Sequence, residues 1–282
     1  MLATLHDLLP RARKNGYAVG AFNISNLESA QAVLDAAVEL RAPVILQTSQ
    51  QAIAYAGLFE LVALVTSLAS RVRIPVVLHF DHGRDISLLR AAAKAGYTSL
   101  MFDGSRLPFR ENVQKTRMLA KFAHGLGVSI EGELGVIAGQ EDGIRAREHL
   151  LTDPDEAQRF AELTRVDALA ISVGLAHGRQ VLREHLNVAR VRDIGRAVSL
   201  PLVLHGASEG VADAVLKKSI AAGIAKINID TSLRISCNTA ARRFLKKHPK
   251  SYNPRELFGA CRDAMRITTG RYLRLFGSAY QA

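Results

Sequence analysis

The run Pro75-Val76-Val77-Leu78-His79-Phe80, followed at once by Asp81-His82, is the stretch whose reading decides the architecture. It is short, apolar and rich in β-branched residues, so it reads as a fully buried strand. The proline opens the strand, where a missing N–H does little harm. The construction recurs twice. Ala168-Leu169-Ala170-Ile171-Ser172-Val173-Gly174 leads to His177, and Pro201-Leu202-Val203-Leu204 ends in His205. Each histidine lies at or just past the carboxyl end of its strand. In a parallel α/β protein, that edge is where ligands bind.

The same rhythm runs through the chain. Candidate strands cover 18–23, 43–48, 75–80, 98–103, 128–133, 168–173, 201–205 and 225–229. Helix-like stretches with apolar 3–4 spacing cover 27–40, 58–71, 85–95, 110–126, 156–164, 188–198 and 212–222. Strands alternating with helices demand a parallel sheet, and eight such units predict a (β/α)8 TIM barrel. An open doubly wound sheet would need a Gly-rich phosphate turn after the first strand, and Gly20-Ala21-Phe22-Asn23 is not one. Gly96, Gly127 and Gly223 stand where helices end, and Thr152-Asp153-Pro154-Asp155-Glu156 is a helix start. Two segments break the rhythm. Residues 135–150 are polar, carry three glycines and follow strand five on the ligand side, so they read as a mobile lid. From Pro254 an extra C-terminal helix is expected. No domain boundary is visible, so 1–282 is one domain.

Composition narrows the function classes. With 282 residues and 48% hydrophobic content, a full core is expected. No stretch is long and apolar enough to span a bilayer, and the N-terminal stretch has no signal-peptide core. Cys237 and Cys261 lack framework spacing and stand away from the histidine loops. They point to free thiols in a reducing cytoplasm. The net charge of +11 attracts anions. Its densest cluster, Arg242-Arg243 with Lys246-Lys247-His248, reads as a solvated helix face. Tryptophan is absent and aromatics make up 6%. Neither nucleic acid nor membrane is expected as a partner.

Polar residues gather at the strand ends: Asn23, Ser49, Asp81-His82, Asp103-Gly104-Ser105, Glu131, Glu133, His177-Gly178, His205-Gly206-Ala207-Ser208, Asn228 and Asp230-Thr231. One strand-end histidine is ordinary. Three at equivalent positions, with carboxylates beside them, form a metal and acid–base inventory. Glu131 and Glu133 alternate by two and face one side of their strand; buried together, they need a cation. The small-residue turns after strands seven and eight sit where TIM barrels hold phosphate.

In family order, Leu78-His79-Phe80-Asp81-His82-Gly83, Met101-Phe102-Asp103-Gly104-Ser105, Glu131-Gly132-Glu133-Leu134-Gly135, Ala176-His177-Gly178, Leu204-His205-Gly206-Ala207-Ser208 and Lys226-Ile227-Asn228-Ile229-Asp230-Thr231 resemble the class II, zinc-dependent ketose-bisphosphate aldolases. The likeness covers the whole chain and lies in the branch of tagatose-bisphosphate and shorter fructose-bisphosphate aldolases. It implies one catalytic Zn²⁺ on His82, His177 and His205. Asp81 would be the acid–base residue at the substrate's C4 oxygen, and Glu141 the proton carrier on the dihydroxyacetone phosphate carbon. Gly178, Gly206, Ala207, Ser208, Asn228, Asp230 and Thr231 would hold the dihydroxyacetone phosphate end, with Asn23 and Ser49 nearer the other end. Asp103 and Glu133 match second or alternate metal positions. The resemblance also implies a monovalent cation (Na⁺ or K⁺) near Gly178 and Ser208, and a homodimer or homotetramer. In such an assembly Arg255 or Arg262 reaches the neighbour's substrate phosphate. Gln47-Thr48-Ser49-Gln50-Gln51, in place of a Gly-Thr-rich stretch, and the tail from Asn253 to Arg262 are closer to the fructose type.

Overall fold

A computed structural model describes residues 2–137, 150–175, 186–208 and 210–282, and the backbone of two short strands between 139 and 146. His177 and Gly178 therefore lie outside the described residues, as does the side chain of Glu141. Eight parallel strands close a barrel in the order β1 (Val19–Asn23), β10 (Ile224–Ile229), β9 (Leu202–Leu204), β8 (Ala168–Ile171), β5 (Ser129–Leu134), β4 (Ser99–Phe102), β3 (Val76–Gly83) and β2 (Val44–Ser49). The TIM barrel expected from the strand–helix alternation is the observed fold. The lid segment is not all loop. β6 (Gly139–Glu141) and β7 (Ile144–Ala146) pair as an antiparallel ribbon, and Val136 bridges Leu150 at its base.

Alternation along the strands divides the apolar residues into two cores. Leu78, Phe80, Leu202 and Leu204 point outward under the helices. Val77, Met101, Ala168, Ala170 and Val203 point inward. The inner set fills only the lower barrel, and a helix absent from the sequence reading completes it. α1 (Leu5–Asn15) is capped by a reciprocal Thr4–Asp7 pair and stopped by Gly16 in the left-handed region. Its buried Leu5, Leu8, Leu9 and Ala12 close the amino end of the barrel. Arg13 fastens this plug by donating to the carbonyls of Gly195 at 2.6 Å and Val198 at 2.8 Å, and also to that of Leu200.

The outer helices run as the spacing predicts. α7 (Pro154–Thr164) starts on Asp153, whose carboxylate accepts from the N–H groups of Asp155 and Glu156. Short α3 (Gln50–Ala56), capped by Ser49, was not legible. The eighth unit continues into α10 (Thr231–Lys247), and the C-terminal helix α11 (Pro254–Leu275) packs against α10 and α2 (Leu27–Glu39). Among the described residues, no single helix is long and apolar enough to cross a membrane.

Candidate active site

The carboxyl ends of β3, β5, β9 and β10 bring the polar cluster into the upper barrel. On β3, strict alternation sends Val77, His79 and Asp81 inward and should send His82 out. It does not. Between Phe80 and Gly83 the register with β4 slips, and His82 adopts φ +51°. This β-bulge turns the imidazole into the barrel beside Asp81. A second slip, between Ile224 and Lys226 on β10, accompanies the inward placement of Lys226, Asn228 and Asp230. The outward Ile227 and Ile229 belong to the outer core.

His82 and His205 meet edge to face, with Nε2 of the first 2.8 Å from Nδ1 of the second. Asp81 joins them, each of the three residues offering a donor atom within 4.8 Å of the other two. A second such group is His82, Asp103 and Glu133, with Nδ1 of His82 3.6 Å from a carboxylate oxygen of each acid. Glu133 Oε2 is buried with no hydrogen-bond partner among the described residues. Two imidazoles, several carboxylates and an unsatisfied carboxylate oxygen suit a first-row divalent ion.

The electrostatics fit the same picture. Burial opposes a charge on His82, but Asp81, Asp103 and Glu133 hold its pKa well above the ordinary histidine value. Burial and the Asp103 charge push Glu133 well above the usual carboxylate range. Burial works against Asp103 too, but its contacts with His82 and Arg84 outweigh that and keep it low. Arg84 grips Asp103 through two nitrogens at 2.9 and 2.5 Å. Sequence reasoning missed this arginine, although it follows the Asp81-His82-Gly83 motif directly.

Asp81 is held by amides. Asn228 Nδ2 donates to Oδ1 at 3.1 Å, while Gln47 Nε2 at 3.0 Å and Asn23 Nδ2 at 3.5 Å donate to Oδ2. Gln47 belongs to the stretch that is closer to the fructose type. Its place two residues before Ser49 puts it on the same inward face, a signal that was available. Glu131 already has its cation: Lys226 Nζ stands 2.9 Å from Oε2. Lys226 is fully buried inside the barrel.

The expected phosphate turns are knotted together. Gly206 has φ +72°, which a larger residue would resist. Ser208 Oγ accepts from the Asp230 N–H at 2.9 Å, and its carbonyl accepts from Tyr272 at 2.6 Å and from Ser232. Ala207 is buried, and Thr231 begins α10. Asn23, Ser49 and Asp230 line a 390 Å³ cavity at the mouth, together with Arg234. Cys237 lines it too; neither His82 nor His205 does. A larger cavity of 1160 Å³ lies behind Ser208, among α9 (Asp213–Ala221), α10 and α11. Arg262 donates to Gln31 of its own chain at 3.2 Å, and Arg255 donates to Asn253 Oδ1 from its backbone N–H at 3.1 Å and from Nε at 3.2 Å.

The family model for fructose-bisphosphate aldolase class-II matches residues 3–281. A probable fructose-bisphosphate aldolase from Bacillus subtilis (strain 168) is 42% identical, covering 100% of this chain and 99% of that protein. A sulfofructosephosphate aldolase from Alkalicoccus urumqiensis is 40% identical, covering 98% and 96%. The crystal structure of the YdjI aldolase from Escherichia coli K12 superimposes with a TM-score of 0.88 at 35% identity over 100% of both chains.

Proposed function

The chain belongs to the class II fructose-bisphosphate aldolase family and is an aldolase, a carbon–carbon lyase, and from that premise we propose that it cleaves a ketose 1,6-bisphosphate into dihydroxyacetone phosphate and glyceraldehyde 3-phosphate. The sugar is fructose 1,6-bisphosphate or its C4 epimer, tagatose 1,6-bisphosphate. The observation that carries this reading is the meeting of Asp81, His82 and His205 within 4.8 Å, at the carboxyl mouth of the barrel.

In this reading His82, His177 and His205 hold zinc, with Asp103 and Glu133 as alternate contacts. The bound ion supplies a Lewis acid for the negative charge that develops on the ketone fragment. Asp81 takes the C4 hydroxyl proton as the C3–C4 bond breaks; its amide cradle aims the carboxylate. Glu141 returns a proton to the ketone fragment's carbon. Gly178, Gly206, Ala207, Ser208, Asn228, Asp230 and Thr231 hold the dihydroxyacetone phosphate end, with a monovalent cation near Gly178 and Ser208. Asn23 and Ser49 line the cavity toward the other end. The net charge of +11 draws the bisphosphate in. The enzyme works in the cytoplasm as a homodimer or homotetramer. Arg262 is engaged with Gln31, so Arg255, in the exposed first turn of α11, is the better candidate to reach a neighbouring subunit's phosphate.

The relative named for sulfofructosephosphate gives a second reading, the same bond cleaved in a substrate whose far end differs. The test is cleavage of fructose and tagatose bisphosphates side by side, with and without EDTA, following dihydroxyacetone phosphate through a coupled dehydrogenase. EDTA-sensitive cleavage supports the proposal, and the ratio of kcat/KM values names the sugar. A zinc-loaded enzyme that cleaves neither sends the substrate to the second reading, another phosphorylated ketose or a deoxy-gluconate phosphate, or leaves a metal-binding scaffold.

A further inference from the structure

We propose that Glu131 and Lys226 form a buried positioning pair that decides which nitrogen of His205 faces the metal. This rests on the reading of His205 as a metal ligand and adds two residues with no place in the mechanism above. Glu131 lies on β5 and Lys226 on β10, and both are fully buried. Lys226 Nζ occupies one oxygen of Glu131 at 2.9 Å. The other oxygen stands 3.1 Å from Nε2 of His205. A carboxylate in an ion pair can only accept, so Nε2 carries the proton and donates it to Glu131. Nδ1 is left with its lone pair, and it faces His82 at 2.8 Å. The pair therefore fixes both the ring orientation and the tautomer of His205, as outer partners of metal-bound histidines commonly do.

The energetics favour a positioning role over a stabilising one. Two fully buried charges lose their hydration, and an apolar pair of similar size serves stability as well or better. Lys226 has a definite task here: it claims Oε2, so the carboxylate presents Oε1 to His205 and cannot rotate away. His79 fills the remaining side, with Nε2 at 3.7 Å from Oε2 and Nδ1 at 2.8 Å from Ser99 Oγ.

The test compares Glu131→Gln, Lys226→Met and the double variant Glu131→Leu/Lys226→Met with the wild type. Zinc affinity is measured by competition with a chromophoric chelator, and metal-free stability by thermal melting. The expected result is a zinc Kd weakened about 10–100-fold in all three, while the double variant melts at or above the wild-type temperature. ¹⁵N NMR of histidine in the metal-free wild type should show His205 protonated on Nε2, a reading that needs no variant to fold. A double variant that is stable and binds zinc as tightly as the wild type overturns the proposal, as does a wild-type His205 protonated on Nδ1. Failure of the sugar-cleavage reading shows only in the coupled assay and leaves these measurements standing.

Discussion

Replacing Asp81 with Asn separates proton transfer from structure more cleanly than any other change in the barrel. Both Asp81 oxygens accept from amide N–H groups, at 3.0 and 3.1 Å with a longer contact at 3.5 Å. Asparagine keeps the shape and one acceptor, but its NH₂ would face an amide nitrogen. The neighbours can adapt. Gln47 Oε1 and Asn228 Oδ1 are buried acceptors with no hydrogen-bond partner among the described residues, so turning one amide over supplies what the new NH₂ needs. The net structural cost is then that of one altered hydrogen bond, about 1 kcal/mol. Loss of a positioned general base costs about 10²–10⁴ in rate, or about 3–5 kcal/mol in the barrier. Asp81→Asn should therefore melt within a few degrees of the wild type, hold its zinc and lose at least about a hundredfold in kcat for bisphosphate cleavage. Coupled kinetics, metal analysis and thermal melting on one preparation decide it. Turnover within tenfold of the wild type would refute the base assignment, and loss of the metal with the activity would make Asp81 a ligand.

Two further outcomes follow from the same geometry. In Gly132→Ala the new methyl would sit 2.8 Å from Phe160 Cε1 and 3.3 Å from Thr116 Cγ2. Urea unfolding should show a loss of about 1–3 kcal/mol, with weaker zinc binding because Glu131 and Glu133 flank the shifted residue; unchanged stability would contradict the packing of β5 on α7. His82 keeps its proton to well above pH 6.5, burial opposing and the surrounding carboxylates prevailing. Its stabilising charge is thus fully present below about pH 6.5 and lost as pH rises through the raised value. Zinc needs the bare nitrogen, so loading the metal-free protein at pH 7 should release about one proton or more per chain, and affinity should fall as pH is lowered. An indicator-dye titration showing no release would remove the raised histidine.

What was legible in the chain, and what was not, divides along physical lines. The barrel came through because its strands are buried on both faces and its helices on one, and both periods are printed in the sequence. His82, His205, Glu133 and Asp103 were legible as strand-end residues, and the structure gathers them. α1 carries the spacing Leu5, Leu8, Leu9, Ala12, but it stands outside the eightfold rhythm and contains Pro10, so the rhythm hid it. Partners across the barrel were not legible at all. Which cation serves Glu131, and that Arg84 grips Asp103, depend on distances between residues 95 and 19 positions apart in sequence.

The deepest gap concerns backbone rather than side chains. Alternation gives a strand one inward residue in two, so adjacent Asp81 and His82 cannot both face the barrel on a regular β3. A site that needs a proton carrier next to a metal-ligand candidate must break the strand's own rule. The bulge does so by moving His82 into the left-handed region, a conformation that disfavours a bulky side chain and persists only where the surroundings impose it. Those surroundings are visible: the His82 N–H points to Met101 Sδ at 3.4 Å, and its ring is flanked by His205, Asp103 and Glu133. The same reasoning explains Gly83 immediately after it, where a Cβ would meet Leu89 at 2.5 Å. The slip returns the chain to the outer face under α5 (Ile86–Ala95) with no room for a side chain. Asp81-His82-Gly83 is therefore one device: the proposed base, the proposed ligand turned to the same side in the left-handed region, and a glycine that lets the strand close over the helix. Relieving that strain with His82→Gly would remove the proposed ligand with it, so conformation and chemistry at this position cannot be optimised separately.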